Sequence, residues 1–169
     1  MSAQSKLDFV PSANPAAFRQ TMGQFATGVT IVTTMSGDQP VGLTANSFTS
    51  VSLDPALVLV CLGKSLGCLQ AFCEADHFGI NVLQAEQRET SNRFATKGTD
   101  RFSGLEWRLA GGSVPLLSNA LANLQCRKHA ELDYGDHMIF IGQVQRAAYD
   151  PNQQPLLYFG GQYRQLQTA

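Results

Sequence analysis

Val29-Thr30-Ile31-Val32-Thr33-Thr34, then Ser36-Gly37-Asp38-Gln39-Pro40, then Val41 to Ala45, reads as a β-hairpin. β-branched side chains fill the first run because their stiff χ1 suits a pleated strand, and the Ser/Gly/Asp/Pro cluster supplies the turn. Upstream, Pro15 opens a helix after Asn14 as cap, with Phe18, Met22 and Phe25 at helical spacing until Gly28 breaks the pattern. Downstream, Asp54-Pro55 punctuates, and Ala56 to Leu62 is a continuous apolar run, the pattern of a strand buried on both faces.

Leu66 to Glu74 predicts a short helix, Phe78 to Leu83 a strand, and Ala85 to Thr96 a polar surface helix with Phe94 and Ala95 turned inward. Leu105 to Leu109 predicts a short strand. Ala120, Ala122, Leu124, Cys126 and Ala130 then alternate with Asn123, Gln125, Arg127, His129 and Glu131, a period of two that predicts polar residues on the outer face. Tyr134-Gly135-Asp136-His137 makes a turn into a strand over Met138 to Gln145, and Leu156 to Phe159 is the last strand. Strands follow one another instead of alternating with helices. That order predicts a mainly β fold with a few helices, antiparallel and closed into a barrel. A loose arm is expected over residues 1–14 and one domain over 15–169.

The 169 residues carry a formal net charge of -1, with 44% hydrophobic and 15% charged residues. Such a balance gives no bulk electrostatic handle for nucleic acid or anionic lipid. No stretch approaches the roughly 20 apolar residues of a membrane helix, and the polar N-terminus lacks the pattern of a signal peptide. Cys61, Cys68, Cys73 and Cys126 form no C-x-x-C pair and fit no zinc spacing, so they are expected to be reduced, mostly structural, in a cytoplasmic protein. No metal site is expected, since no carboxylate or thiol cluster accompanies any histidine.

A dinucleotide site of the Rossmann type needs G-x-G-x-x-G between a strand and a helix, and Gly111-Gly112 and Gly160-Gly161 are isolated pairs. The unusual stretch is Leu43 to Leu53, where Thr44, Asn46, Ser47, Thr49, Ser50 and Ser52 crowd around Phe48. Short donors without net charge suit a planar heterocycle with carbonyls and ring nitrogens on its edge. A loop whose hydroxyls satisfy their own backbone is the other reading. His137 beside Asp136 offers a ligand-orienting or proton-shuttling pair, or only a closed turn. Arg93, in Ser91-Asn92-Arg93-Phe94, suits a phosphate or a solvated helix face. Tyr158 to Arg164 places aromatics around a flexible Gly-Gly hinge, as core, interface or stacking partners.

In their order and spacing, these segments resemble the short-chain NAD(P)H:flavin oxidoreductases, many of them reductase components of two-component flavin-dependent monooxygenases. The segments that carry the likeness are Phe18-Arg19 through Met22 to Thr30, Thr44 to Pro55, Phe78 with Asn81-Val82-Leu83, Arg93-Phe94, Arg101 to Gly104, Gly135-Asp136-His137, and Pro155 to Tyr163. The resemblance implies an FMN-binding split barrel of antiparallel Greek-key type. It also implies a homodimer with the flavin site near the interface, and hydride transfer from NADH or NADPH to FMN or FAD. Asn46, Ser47, Phe48, Thr49, Ser50, Ser52 and Leu53 would then line the flavin. Arg93 and Phe94 would lie near its phosphate or ribityl end, and His137 would face the nicotinamide. Where relatives often carry Ser/Thr and Arg, this chain has Lys64-Ser65-Leu66-Gly67-Cys68, so Lys64 and Ser65 are the substitutes for phosphate contact. The lack of an Arg cluster for a 2′-phosphate favours NADH. A monooxygenase is the implied recipient of the reduced flavin, with an electron carrier or a flavin-dependent oxidase on the same barrel as alternatives.

Overall fold

The computed structural model describes residues 14–166. The arm expected over residues 1–14 falls, apart from Asn14, outside them. In chain order the elements are α1 (Pro15–Met22), β1 (Thr27–Gly28), β2 (Thr30–Ser36), β3 (Gln39–Ala45), β4 (Thr49–Leu53), β5 (Ala56–Gly63), α2 (Leu69–Glu74) and β6 (His77–Val82). There follow α3 (Arg88–Ala95), β7 (Trp107–Ala110), β8 (Val114–Leu117), β9 (Ala122–Tyr134), β10 (His137–Tyr149), β11 (Leu157–Phe159) and β12 (Gln162–Arg164).

Seven strands form one antiparallel sheet in the order β3-β2-β6-β9-β10-β5-β4. Its two edges, β3 and β4, are consecutive in the chain and joined only by Asn46-Ser47-Phe48. So short a connection forces the sheet to curl until its edges meet, which makes a barrel with an unladdered seam between β3 and β4. The expected mainly β, antiparallel barrel is the fold found.

Val32, Leu43, Val60, Leu62, Phe72, Phe78, Ile80 and Phe140 build the first core. Val29, Ile31, Leu83, Phe94, Phe102, Leu117 and Leu156 build a second. β2 lies between the two, so its threonines are buried along with its valine and isoleucine. Each threonine hydroxyl is satisfied by a neighbouring carbonyl, Thr30 by Ala45, Thr33 by Pro115 and Thr34 by His77. Asn81 is fully buried on β6 and ties the layers together. Its amide donates to Ile31 O (3.0 Å) while its Oδ1 accepts from Leu117 N (2.7 Å) and Asn123 Nδ2 (2.8 Å). A buried amide satisfied on both sides fixes one packing of β8 over the sheet.

Several boundaries differ from the sequence expectation. The hydroxyl-rich stretch ends in a strand, β4, because its backbone finds the free edge of β5. β8 falls where the sequence reading assigned no element; Val114-Pro115-Leu116-Leu117 is short and contains a proline, yet it pairs with β7 across the Gly111-Gly112 turn. Gln125 is buried, not solvent-facing, because β7 and β8 cover that end of β9. The expected hinge at Gly160-Gly161 is a tight turn between β11 and β12, both glycines at positive φ (60° and 76°) as a type I′ hairpin needs. Gly160 N also donates to Gly23 O (2.8 Å), which docks this hairpin on the end of α1.

Candidate functional site

The seam between β3 and β4 opens onto a groove with two main lobes. One, about 720 Å³, lies between the end of β3, the Asn46-Ser47 bend, the end of β5 with Lys64 and Ser65, and the β9–β10 turn with Asp136 and His137. The other, about 920 Å³, is walled by α1 and the segment to Gly28, by Asn46 to Thr49, and by Tyr158. Arg19, Asn46 and Ser47 border both lobes. A smaller recess of about 220 Å³, lined by Thr44, Asn46, Ser91, Tyr158 and Tyr163, adjoins them, so Asn46 stands where all three meet. These volumes lie in the range of small-molecule and cofactor sites.

Each wall has a local cause. α1 starts where Asn14 Oδ1 accepts from Ala16 N and Ala17 N (3.1 Å each) ahead of Pro15. That cap sets the helix register and turns Arg19 toward the groove. The bend after β3 is held by Ser47, whose hydroxyl bonds both backbone groups of Cys61. The recess is braced by Tyr163, whose hydroxyl bonds Ser91 Oγ (2.8 Å) and donates to Asn92 Oδ1 (3.0 Å). The β9–β10 turn is Gly135-Asp136, with Gly135 at φ +59°, and its register sets His137 opposite Gly63 of β5.

His137 Nδ1 lies 2.7 Å from Asp136 Oδ1. That hydrogen bond holds the Asp136 carboxyl below the usual carboxylate range, and the positive charge of Arg19 across the groove adds a smaller pull the same way. Thr27 Oγ1, on the wall of the larger lobe, is buried without a hydrogen-bond partner.

The structure brings Asn46, Ser47, Lys64, Ser65 and His137 together in one lobe, and Asn46, Ser47, Phe48 and Thr49 in the other. Ser50, Ser52 and Leu53 lie farther along β4 on the sheet edge, past a bulge between Ser50 and Ser52, and Leu53 is 97% exposed. Phe94 packs edge-on against Phe102 in the second core, 1% exposed, because α3 turns its apolar side to the barrel wall. Arg93 donates to Ser103 O (2.6 Å). Neither lines a lobe; the resemblance put both beside the ligand, and the structure puts Phe94 in the core. Sequence reading missed Arg19 and Thr27 as groove residues, while Tyr158 and Tyr163, left open as core, interface or stacking partners, line it. For Arg19 the signal was its place beside Phe18 on a capped helix, but only the docking of α1 against the seam makes it a groove residue.

Comparisons with known proteins point one way. The sequence profile described as flavin reductase like domain matches residues 22–167. An Agrobacterium fabrum protein named FMN reductase (NADH) SmoA is 45% identical over 156 residues, 92% of this chain and 88% of that protein. The flavin-dependent monooxygenase reductase subunit HsaB of Mycobacterium tuberculosis is 38% identical over 152 residues, covering 89% of this chain and 81% of its own length. Among solved structures, the Streptomyces globisporus NADH:FAD oxidoreductase SgcE6 in complex with NAD and FAD fragments superposes with a TM-score of 0.90 at 38% identity. That match covers 95% of this chain and 98% of the other.

Proposed function

Because the chain belongs to the flavin reductase-like family, we propose that it is an NADH-dependent flavin reductase that passes reduced FMN or FAD to a flavin-dependent monooxygenase. The observation that carries the reading is the meeting of the Asn46–Thr49 bend, Ser65 and His137 on one groove at the barrel seam. The groove suits a flavin. Its bend offers amide and hydroxyl donors without net charge, and Thr27 Oγ1 is a buried hydroxyl still lacking a partner.

The flavin supplies the redox chemistry, accepting a hydride from the nicotinamide; the protein's part is position and charge. Asn46, at the junction of the lobes, donates and accepts at the edge of a planar heterocycle. Ser47 holds the bend in place through Cys61, and Phe48 and Tyr158 keep water off the ring. Arg19 supplies positive charge for an anionic group or for charge gathering on the reduced ring. His137, oriented by Asp136, faces the nicotinamide and sets its approach.

Exposed apolar side chains on α1 (Phe18, Met22), on the segment after it (Phe25) and on β4 (Leu53) support a homodimer that covers them beside the groove. Four free cysteines support a reducing, cytoplasmic setting.

The test is NADH oxidation by catalytic amounts of protein, with and without added FAD, FMN or riboflavin. Oxidation that depends on free flavin is the expected result. Flavin that binds but is not bleached by NADH would replace the reading with an electron carrier. Flavin that stays bound while an organic substrate drives oxygen uptake would replace it with an oxidase.

A further inference from the structure

We infer that Lys64 is a positioning residue that braces the turn carrying His137, and that it is not a ligand for the cofactor's phosphate; the inference rests on the proposed role of His137 toward the nicotinamide. Lys64 reaches across from the end of β5 to the β9–β10 turn with both its side chain and its backbone. Its ammonium pairs with Asp133 and donates to Gly135 O (2.9 Å), and its amide N donates to Asp136 O (2.9 Å). Just before it, Gly63 pairs with His137, and a Cβ at Gly63 would sit 3.7 Å from His137 Nε2. Asp136 then fixes the ring from the other side through Nδ1. Every residue of the turn from Asp133 to His137, Tyr134 apart, is therefore tied to residues 63–64 or to its neighbour in the turn.

The same bonds argue against phosphate. An ammonium has three protons, and two of them are committed to Asp133 and Gly135. An anion drawn to Lys64 would meet Asp133 at its partner position and Asp136 on the same turn, and both carboxylates would repel it. The Lys64 side chain is 38% exposed and that of Asp133 66%, so the ion pair is partly screened and the brace is modest, not rigid.

The test is steady-state kinetics of Lys64→Met, Lys64→Arg, Asp133→Asn and the Lys64→Met/Asp133→Asn double variant, varying NADH and flavin separately. Asp133 does not line the groove, so a shared effect of Lys64 and Asp133 reports the brace. Lys64→Met and Asp133→Asn should each raise KM for NADH about threefold to tenfold and leave KM for flavin within about twofold. The double variant should be no worse than Lys64→Met alone, and Lys64→Arg should recover most of the loss.

A rise in flavin KM with Lys64→Met, with Asp133→Asn unchanged, would overturn the inference in favour of a phosphate ligand. His137→Ala, measured alongside, tests the underlying reading. If it leaves NADH kinetics untouched, that reading fails, and the brace is judged by amide hydrogen exchange. Exchange at Gly135 to His137 should quicken in Lys64→Met and Asp133→Asn with no change in β2 or β6. Unaltered exchange there overturns the inference whatever the kinetics.

Discussion

The Ser47 hydroxyl holds both backbone groups of Cys61, accepting from its N–H at 3.0 Å and donating to its carbonyl at 2.9 Å. A side chain thus serves as a rung between the β3–β4 bend and β5, at the place where the sheet's backbone ladder stops. The hydroxyl is spent on the protein, so Ser47 serves the groove by shaping it. Ser47→Ala removes one donor and leaves the Cys61 amide unpaired, at a cost of about 1–3 kcal/mol. A lower melting temperature together with a several-fold higher KM for flavin is expected, with KM for NADH much less affected. Unchanged stability would show that water takes over the rung without loss.

Arg19 enters both lobes from α1 and faces Asp136 across the groove. Its charge is worth most when a flavin excludes water from the groove. Arg19→Gln should weaken flavin use about tenfold, as loss of one charge-assisted hydrogen bond does, and should weaken it more for FMN and FAD than for riboflavin if the charge meets phosphate. Equal loss for all three flavins would assign Arg19 to the ring. No loss for any would remove it from the site.

Much of this architecture can be read from the residues, and each exception has a physical cause. The β2–β3 hairpin, the α1 cap at Asn14 and the β9–β10 turn are written in short-range chemistry: β-branched runs, an Asn-Pro start, a Gly-Asp turn. Gln125 was not legible because it depends on a layer distant in sequence, and β8 was not because its four residues are few and include a proline. Gln125 is buried by a hairpin that no local pattern places over it, and Val114 to Leu117 is a strand only because Trp107 to Ala110 lies beside it. The site divides the same way. Asn46 and His137 stand out by type and setting, whereas Arg19, Thr27 and Tyr163 join the groove through the docking of α1 and the β11–β12 hairpin. Phe94 drew two readings that point different ways. It was placed beside a ligand by family likeness, although the inward turn read from its helix already assigned it to the core.

Gly142 on β10 has no room for a side chain. A Cβ there would stand 2.5 Å from Phe78 Cζ and 2.8 Å from Cys126 Cβ, both in the first core. Gly142→Ala should therefore destabilise the fold by about 1–3 kcal/mol through overpacking. Phe78→Leu removes the ring that crowds the position, so the double variant should be less destabilised than the sum of the single changes, as read from denaturant midpoints. Strict additivity would mean that the backbone at Gly142, and not the Phe78 ring, sets the cost.

Cys126 sits fully buried on β9 in the first core, and burial pushes its thiol up from an ordinary 9.0 to about 12. The sign of the linkage follows. A folded-state value above the unfolded one favours the native state fully below pH 9, and that contribution drains away as pH rises toward about 12, because the unfolded thiol ionises first. At roughly 1.4 kcal/mol per unit the loss across that window is about 4 kcal/mol. Cys126→Ala should be less stable near neutrality, having lost a packed sulfur, yet its stability should fall less steeply between pH 9 and 11 than that of the parent protein, measured by denaturant unfolding at each pH. At neutral pH the native thiol should resist alkylating reagents until the protein is unfolded. Parallel alkaline slopes for the two proteins would show that the Cys126 thiol does not contribute to alkaline unfolding.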